Sequence, residues 1–248
     1  MGESIKRIVG PYQDSYSPNG IIGEKDACGV GFIANIKGLE SNWILKQSLK
    51  GLNCMEHRGG CGGDSDSGDG AGILCSIPWG YLEKKINLKN NQEFNRGLGM
   101  VFMPNKKEKI EVCQSICDQE AEKLKVNKTS WRAVPVNNEI LGPLAKANAP
   151  FICQWILFID KKDHQDVEML LFQLRKRIEK KIRETFKNDV GHCEFYFASL
   201  SSQTVVYKGM VRSEILSEFY QDQKKRVLKF HFLFIIVDLV LIHFQNGH

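Results

Sequence analysis

A chain of 248 residues with 42% hydrophobic and 25% charged side chains has room for one substantial domain, or two small ones, around a real core. Its net charge of +5 is mild, and much of it falls between Arg175 and Lys187, a stretch whose one aromatic residue is Phe186. Nucleic-acid binding wants aromatics interleaved with cations for base stacking, so this stretch reads as a solvated helix face and no nucleic-acid partner is expected.

Residues 1–27 read as an irregular leader, punctuated by Gly10-Pro11, Ser17-Pro18-Asn19-Gly20 and Gly23. Met1 to Arg7 lacks the apolar run of a secretory signal, and Lys6 stands where a myristoylation signal needs Ser or Thr. The eight cysteines are therefore expected in a reducing compartment, as thiols rather than as a disulfide framework. Cys113 and Cys117 lie one helical turn apart without a second pair at metal-ligand spacing, which makes zinc a weak idea.

From Gly29 to Ile36, large apolar residues at 30, 32 and 36 mark a short strand. Ser41 is placed to cap a helix carrying Leu45, Leu49, Leu52 and Met55 on one face. That helix runs into Glu56-His57-Arg58-Gly59-Gly60 and a loop dense in Gly and Asp, then a strand over 71–77 that Pro78 stops. Leu98 to Phe102 reads as a strand, Ile110, Cys113, Cys117 and Leu124 stripe a helix, and Phe151 to Ile159 is a strongly apolar strand. Leu171, Leu174, Ile178, Ile182 and Phe186 recur at helical spacing. Two further strands, 195–200 and 204–208, are separated by Ser201-Ser202-Gln203 and predict a β-hairpin. Strands and helices alternate without a βαβ nucleotide fingerprint, so the expected class is α+β, a layered sheet-and-helix domain. Residues 227–244 break this texture: they are apolar on every face, yet Lys229, His231, Asp238 and His243 interrupt them. They make neither a good membrane span nor a good amphipathic helix, and no membrane partner is expected.

Two stretches carry the candidate chemistry, Asp26-Ala27-Cys28-Gly29-Val30-Gly31-Phe32 and the segment from Leu52 to Ile73. A cysteine at the head of a strand, followed by Gly-x-Gly, suits nucleophilic attack because small residues let a substrate approach the backbone. Taken alone, Cys28 reads first as a core thiol, the usual place of a free cysteine. Asp64-x-Asp66 opens like a calcium loop, but Asp69 stands where Gly is needed and Cys75 where Glu is needed. No Gly-Lys-Ser/Thr accompanies the glycines, so the loop is not a phosphate cradle either.

Read together, these stretches resemble the class II glutamine amidotransferase domain that opens glutamate synthase. The likeness rests on Ala27-Cys28-Gly29-Val30-Gly31-Phe32, Glu56-His57-Arg58-Gly59 and Gly68-Asp69-Gly70-Ala71-Gly72-Ile73. It continues through Trp131-Arg132-x-Val134-Pro135, Leu141-Gly142-Pro143-Leu144-Ala145, Phe195-Tyr196-x-x-Ser199-Leu200-Ser201-Ser202 and Thr204-Val205-Val206-Tyr207-Lys208-Gly209-Met210. The resemblance implies a four-layer αββα N-terminal-nucleophile fold with a leader over 1–27, an amidotransferase domain over 28–222 and a divergent tail over 223–248. It implies that the leader is removed, that Cys28 attacks the side-chain amide of L-glutamine, and that its own freed α-amine takes the proton. Gly29, His57, Arg58 and Gly59 are implied as support around the nucleophile. No cofactor is expected in this chain, FMN and an iron–sulfur cluster belonging to the rest of a glutamate synthase, where ammonia meets 2-oxoglutarate. A cytoplasmic or plastid location is the expectation.

Past Asp222 the resemblance lapses. The family's His-Ser-Arg-Phe-Ser-Thr segment, which grips glutamine, and its His-Asn-Gly-Glu stretch, which supplies the oxyanion hole, give way to Lys224-Lys225-Arg226 and the apolar run. The fold is accordingly expected to be incomplete at its C-terminal end, with Phe232 to Val237 unable to complete the sheets. Beside the enzymatic reading stand an inactive truncated or mis-spliced product and a tail-anchored protein with an amidotransferase-like head.

Overall fold

The computed structural model describes residues 29–55, 68, 70–86, 94–126, 128–160, 166–188 and 194–237. Two antiparallel four-stranded sheets organise them. The first contains β1 (Gly29–Ala34), β2 (Ala71–Ser76), β7 (Thr204–Gly209) and β8 (Phe232–Val237), in the order β1-β8-β2-β7. The second contains β3 (Phe94–Met103), β4 (Lys128–Ala133), β5 (Phe151–Asp160) and β6 (Tyr196–Ser201), in the order β4-β5-β3-β6. The helices are α1 (Asn42–Cys54), α2 (Trp79–Lys85), α3 (Lys107–Lys123), α4 (Pro143–Ala147), α5 (Val167–Thr185) and α6 (Leu216–Phe219). The mixed helix and sheet content is the α+β class that the sequence predicts.

Strand alternation decides where each sheet buries its apolar surface. On β5, the even positions Ile152, Ile156 and Phe158 join a core shared with Ile73, Cys75, Val205, Tyr207, Leu233 and Ile235 of the first sheet. The odd positions Cys153, Trp155, Leu157 and Ile159 face α3 and α5, whose Cys113, Cys117, Leu171, Leu174, Ile178 and Ile182 complete a second core. The predicted stripes of both helices are thus the faces that bury. Ser41 caps α1 as expected, its hydroxyl accepting from the Ile44 amide, and Asp166 caps α5 by accepting from the Met169 amide.

The structure departs from the plain local pattern in three places. The predicted β-hairpin is a crossing between sheets: β6 pairs with β3, whereas β7 pairs with β2. The turn is diverted by side chains that take up its backbone donors. Glu168 accepts from the Ser202 amide and from the hydroxyls of Ser201 and Ser202, and the Val206 amide donates to Ser199 Oγ instead of to a carbonyl of β6. The apolar residues of β1 are also turned outward, Val30 being 65% and Phe32 69% exposed. Gly31 on the inward side of β1 and Gly51 of α1 are glycines because Ile235 needs the room: an ideal Cβ on Gly31 would lie 3.2 Å from Ile235 Cγ1, and one on Gly51 would lie 3.2 Å from Ile235 Cδ1.

The third change concerns the tail. Phe232–Val237 does enter a sheet in register, pairing along its length with β1 on one side and with β2 on the other. A short run of aromatic and β-branched residues without polar interruption is what a strand between two neighbours requires. The connection leading into it is fixed as well. Phe230 bridges Ser41, and Asn42 Nδ2 donates to the Leu228 carbonyl at 2.8 Å. No helix among the described residues is long and apolar enough to cross a membrane.

Candidate functional site

Strand pairing gathers four strand ends at one end of the first sheet. Gly29, the first residue of β1, lies opposite Val237, the last of β8; Val237 lies opposite Ala71, the first of β2; and Ala71 lies opposite Gly209, the last of β7. The C-terminal turn of α1 arrives at the same place, since an ideal Cβ on Gly29 would stand 3.0 Å from Met55 Sδ. The segment after β7 folds back there too. A Cβ on Gly68 would fall 2.6 Å from the Arg212 backbone nitrogen and 2.7 Å from the Val211 carbonyl carbon, so only glycine fits that contact. Turned with its nitrogen toward the Ser213 carbonyl, the side-chain amide of Asn53 on α1 donates there at 3.3 Å and joins the helix to the same segment.

Of the residues singled out in the sequence, Gly29 is placed here, buried and against Met55. Cys28, His57, Arg58 and Gly59 lie outside the described residues. Their covalent neighbours are nonetheless brought together: Cys28 is bonded to Gly29, Glu56-His57-Arg58 follow Met55 directly, and Gly29 and Met55 touch. The Gly-x-Gly that was expected to admit a substrate to the backbone gives up the room at both glycines to protein side chains, Met55 and Ile235.

A buried ionic network, which sequence reasoning did not assemble, links α2, β4, β5 and β7 to the connection ahead of β8. Asp222 is 0% exposed; its Oδ1 accepts from the Tyr81 hydroxyl at 2.6 Å and its Oδ2 from Arg132 Nη2 at 2.7 Å. Arg132 also donates to Gln154 Oε1 at 2.7 Å, and Gln154 Nε2 donates to the Tyr207 hydroxyl at 3.3 Å. Lys225 Nζ stands 3.9 Å from Asp222 Oδ1. Burial, and then the hydrogen bond to Asp222, raise the Tyr81 hydroxyl above its ordinary range, so it remains a donor. Trp131-Arg132 was legible as a motif, but its acidic partner lies 90 residues away in sequence and no local spacing marks the pair.

The described thiols are poor nucleophiles with one exception. Cys75, Cys113, Cys117 and Cys153 are buried, and Cys54 is exposed. Burial raises the Cys75 and Cys117 thiols and pushes Cys153 up to about 12. Among the described residues no group of three or more His, Cys, Asp or Glu could hold a metal ion.

Residues 28–237 match the family model of the class II glutamine amidotransferases. The chain is similar to the chloroplastic ferredoxin-dependent glutamate synthase of Oryza sativa subsp. japonica, 40% identical over 88% of this chain and 14% of the rice protein. It is 42% identical to the chloroplastic/mitochondrial ferredoxin-dependent glutamate synthase 1 of Arabidopsis thaliana, over 82% of this chain and 12% of that protein. Against ferredoxin-dependent glutamate synthase 2 of Synechocystis sp. the identity is 42%, over 82% of this chain and 13% of the relative. The chain therefore spans about one-seventh to one-eighth of the length of the relatives it matches.

Proposed function

The chain belongs to the class II glutamine amidotransferases, and from that membership we propose that it is the glutamine-hydrolysing part of a glutamate synthase, with Cys28 as nucleophile. One observation carries the assignment of the site. The residues bonded to Cys28 and to the Glu56-His57-Arg58 stretch, namely Gly29 and Met55, touch at the sheet end where β1, β2, β7 and β8 also converge. In this reading the two sheets and the helices outside them are the four layers of an N-terminal-nucleophile hydrolase.

Removal of residues 1–27 makes Cys28 the N-terminal residue. Its α-amine, with an ordinary pKa of about 7.7–8.0, then accepts the thiol proton near working pH, which a peptide nitrogen cannot do. The thiolate adds to the carboxamide carbon of glutamine, the C–N bond breaks, and the departing nitrogen takes the proton and leaves as ammonia. Water then cleaves the γ-glutamyl thioester to glutamate and restores the thiol. Nucleophile, base and water account for every bond made and broken, so the hydrolysis draws on no cofactor. FMN, the iron–sulfur cluster and the 2-oxoglutarate site are assigned to the remainder of a longer polypeptide. His57, Arg58 and Gly59 shape the surroundings of the nucleophile, and a plastid is the proposed location.

A second reading, an amidotransferase fold without activity, is favoured by the residues after Asp222, which do not match the segments that grip glutamine and supply the oxyanion hole. Loss of one oxyanion donor alone costs about 10²–10³ in rate. Ammonia release from glutamine separates the two readings. Activity that disappears in Cys28→Ser supports the first, and background release from processed wild-type protein supports the second.

A further inference from the structure

The proposed glutamine chemistry makes no use of Lys224-Lys225-Arg226, the run at which the family resemblance lapses, yet the fold gives it a fixed setting. From that setting we infer an interaction surface. Lys84 and Lys85 at the end of α2, with Lys224, Lys225 and Arg226 of the connection ahead of β8, form a basic patch that docks an acidic polypeptide segment. The two segments are 144 residues apart in sequence, measured from Tyr81 to Lys225, and Tyr81 joins them. Its hydroxyl donates to Asp222 at 2.6 Å and accepts from Lys225 Nζ at 3.4 Å. Lys225 Nζ and Lys85 Nζ stand 5.8 and 5.9 Å from the centre of its ring.

The backbone that presents these cations is tied down. Tyr81 and Arg132 hold Asp222, the Lys225 amide donates to the Asp222 carbonyl at 3.1 Å, and the Leu228 amide donates to the Lys225 carbonyl at 3.1 Å. This turn leaves Lys224 and Arg226 exposed, as Lys84 and Lys85 are on α2. The acids of the same elements are committed elsewhere: Asp222 is buried against Arg132, and Glu83 pairs with Arg96. Lys225 shares Asp222 only at 3.9 Å, and no ion pair among the described residues uses Lys84, Lys85, Lys224 or Arg226. On α5, by contrast, Arg175, Lys176, Arg177 and Lys180 each meet a carboxylate. Uncompensated charge of one sign, held in one place, steers and retains a partner of the other sign. The composition of the patch selects the class of partner. Its aromatics are covered, Tyr81 being buried and Arg96 lying over the ring of Trp79 at 4.5 Å, so bases find nothing to stack on. Val227 is the one large apolar residue exposed beside the cations, too little to anchor in a bilayer. Side-chain carboxylates on an extended segment need neither.

The test is fluorescence anisotropy of a labelled decaglutamate peptide with the full chain at low ionic strength. Wild-type protein is expected to bind the peptide and to release it as salt rises past about 0.15 M, where the screening length falls to about 8 Å. Lys84→Gln with Lys85→Gln, and separately Lys224→Gln with Arg226→Gln, are each expected to lower affinity about 3- to 10-fold. All four side chains are exposed, so neither pair disturbs the core, and either pair alone suffices for the test. Lys181→Gln with Arg183→Gln, exposed on α5, removes the same charge and is expected to change affinity less than about 2-fold. Wild-type protein that does not bind the peptide, or an equal loss from the α5 pair, overturns the inference. So does tighter binding, through the same lysines, of a single-stranded oligonucleotide of equal charge or of phosphatidylserine vesicles. Glutamine hydrolysis enters none of these readouts, so failure of the enzymatic reading leaves the result standing.

Discussion

Replacing Asp222 by alanine should be among the most damaging single changes in the described part of the chain. The carboxylate is fully buried and is the shared acceptor of Tyr81 and Arg132, whose side chain is itself 11% exposed. Its removal leaves a shielded guanidinium with Gln154 alone and a buried hydroxyl without its acceptor. Breaking a buried ion pair from one side costs about 3–5 kcal/mol, because the remaining charge stays desolvated. At about 2–4 °C per kcal/mol for a domain of this size, the melting temperature should fall by roughly 6–20 °C. The loss should reach β8, since Asp222 anchors the connection that leads through Lys225 and Leu228 to Phe230 and the strand. Urea unfolding followed by tryptophan fluorescence measures the stability, and hydrogen exchange over Phe232–Val237 measures the strand. The double variant Asp222→Asn with Arg132→Met should recover part of the loss, as removing both members of a buried pair usually does. An Asp222→Ala protein within about 1 kcal/mol of wild type, with β8 amides equally protected, would refute the reasoning.

Gly68→Ala should destabilise by at least about 1–3 kcal/mol, because its Cβ meets backbone atoms of Val211 and Arg212 that cannot rotate away; calorimetry checks this. Glu120 is 8% exposed, and its carboxyl is held below its ordinary 4.5 first by the hydrogen bond from Lys123, against burial, with further help from Arg177. That contribution is present above the unfolded value and is lost as pH falls from 4.5 through the lowered folded value, so Glu120→Gln should flatten acid unfolding below about pH 5. Native protein at neutral pH should give up Cys54 to iodoacetamide while Cys75, Cys117 and Cys153 react only after denaturation, as peptide mass mapping would show.

What the sequence disclosed follows from the range of the forces involved. Helical stripes such as Leu171, Leu174, Ile178 and Ile182 are local patterns, and the structure buries them where the spacing places them. The cap at Ser41 was equally legible, being a contact over three residues. The destination of β7 was not, because Ser201-Ser202-Gln203 has the length of a hairpin turn and Glu168, which diverts it, lies more than thirty residues upstream. The run Phe232–Val237 was opaque for a related reason. Its apolar character is shared by a membrane segment and a central strand, and only the positions of β1 and β2, some two hundred and one hundred and sixty residues earlier, decide between them. At the site, the cysteine and the glycines around it were visible through family resemblance. The reason for Gly31 was not, since it depends on Ile235.

The most direct measurement is covalent labelling of protein whose N-terminus is Cys28 with a glutamine analogue that carries an electrophilic diazoketone, read by peptide mass spectrometry. The expected result is a single adduct on the peptide that begins Cys28-Gly29-Val30, absent from protein whose N-terminus is still Met1 because the α-amine base does not yet exist. An adduct on Cys54, Cys61 or Cys75 instead, or equal glutaminase activity from protein that retains Met1, would contradict Cys28 as the N-terminal nucleophile.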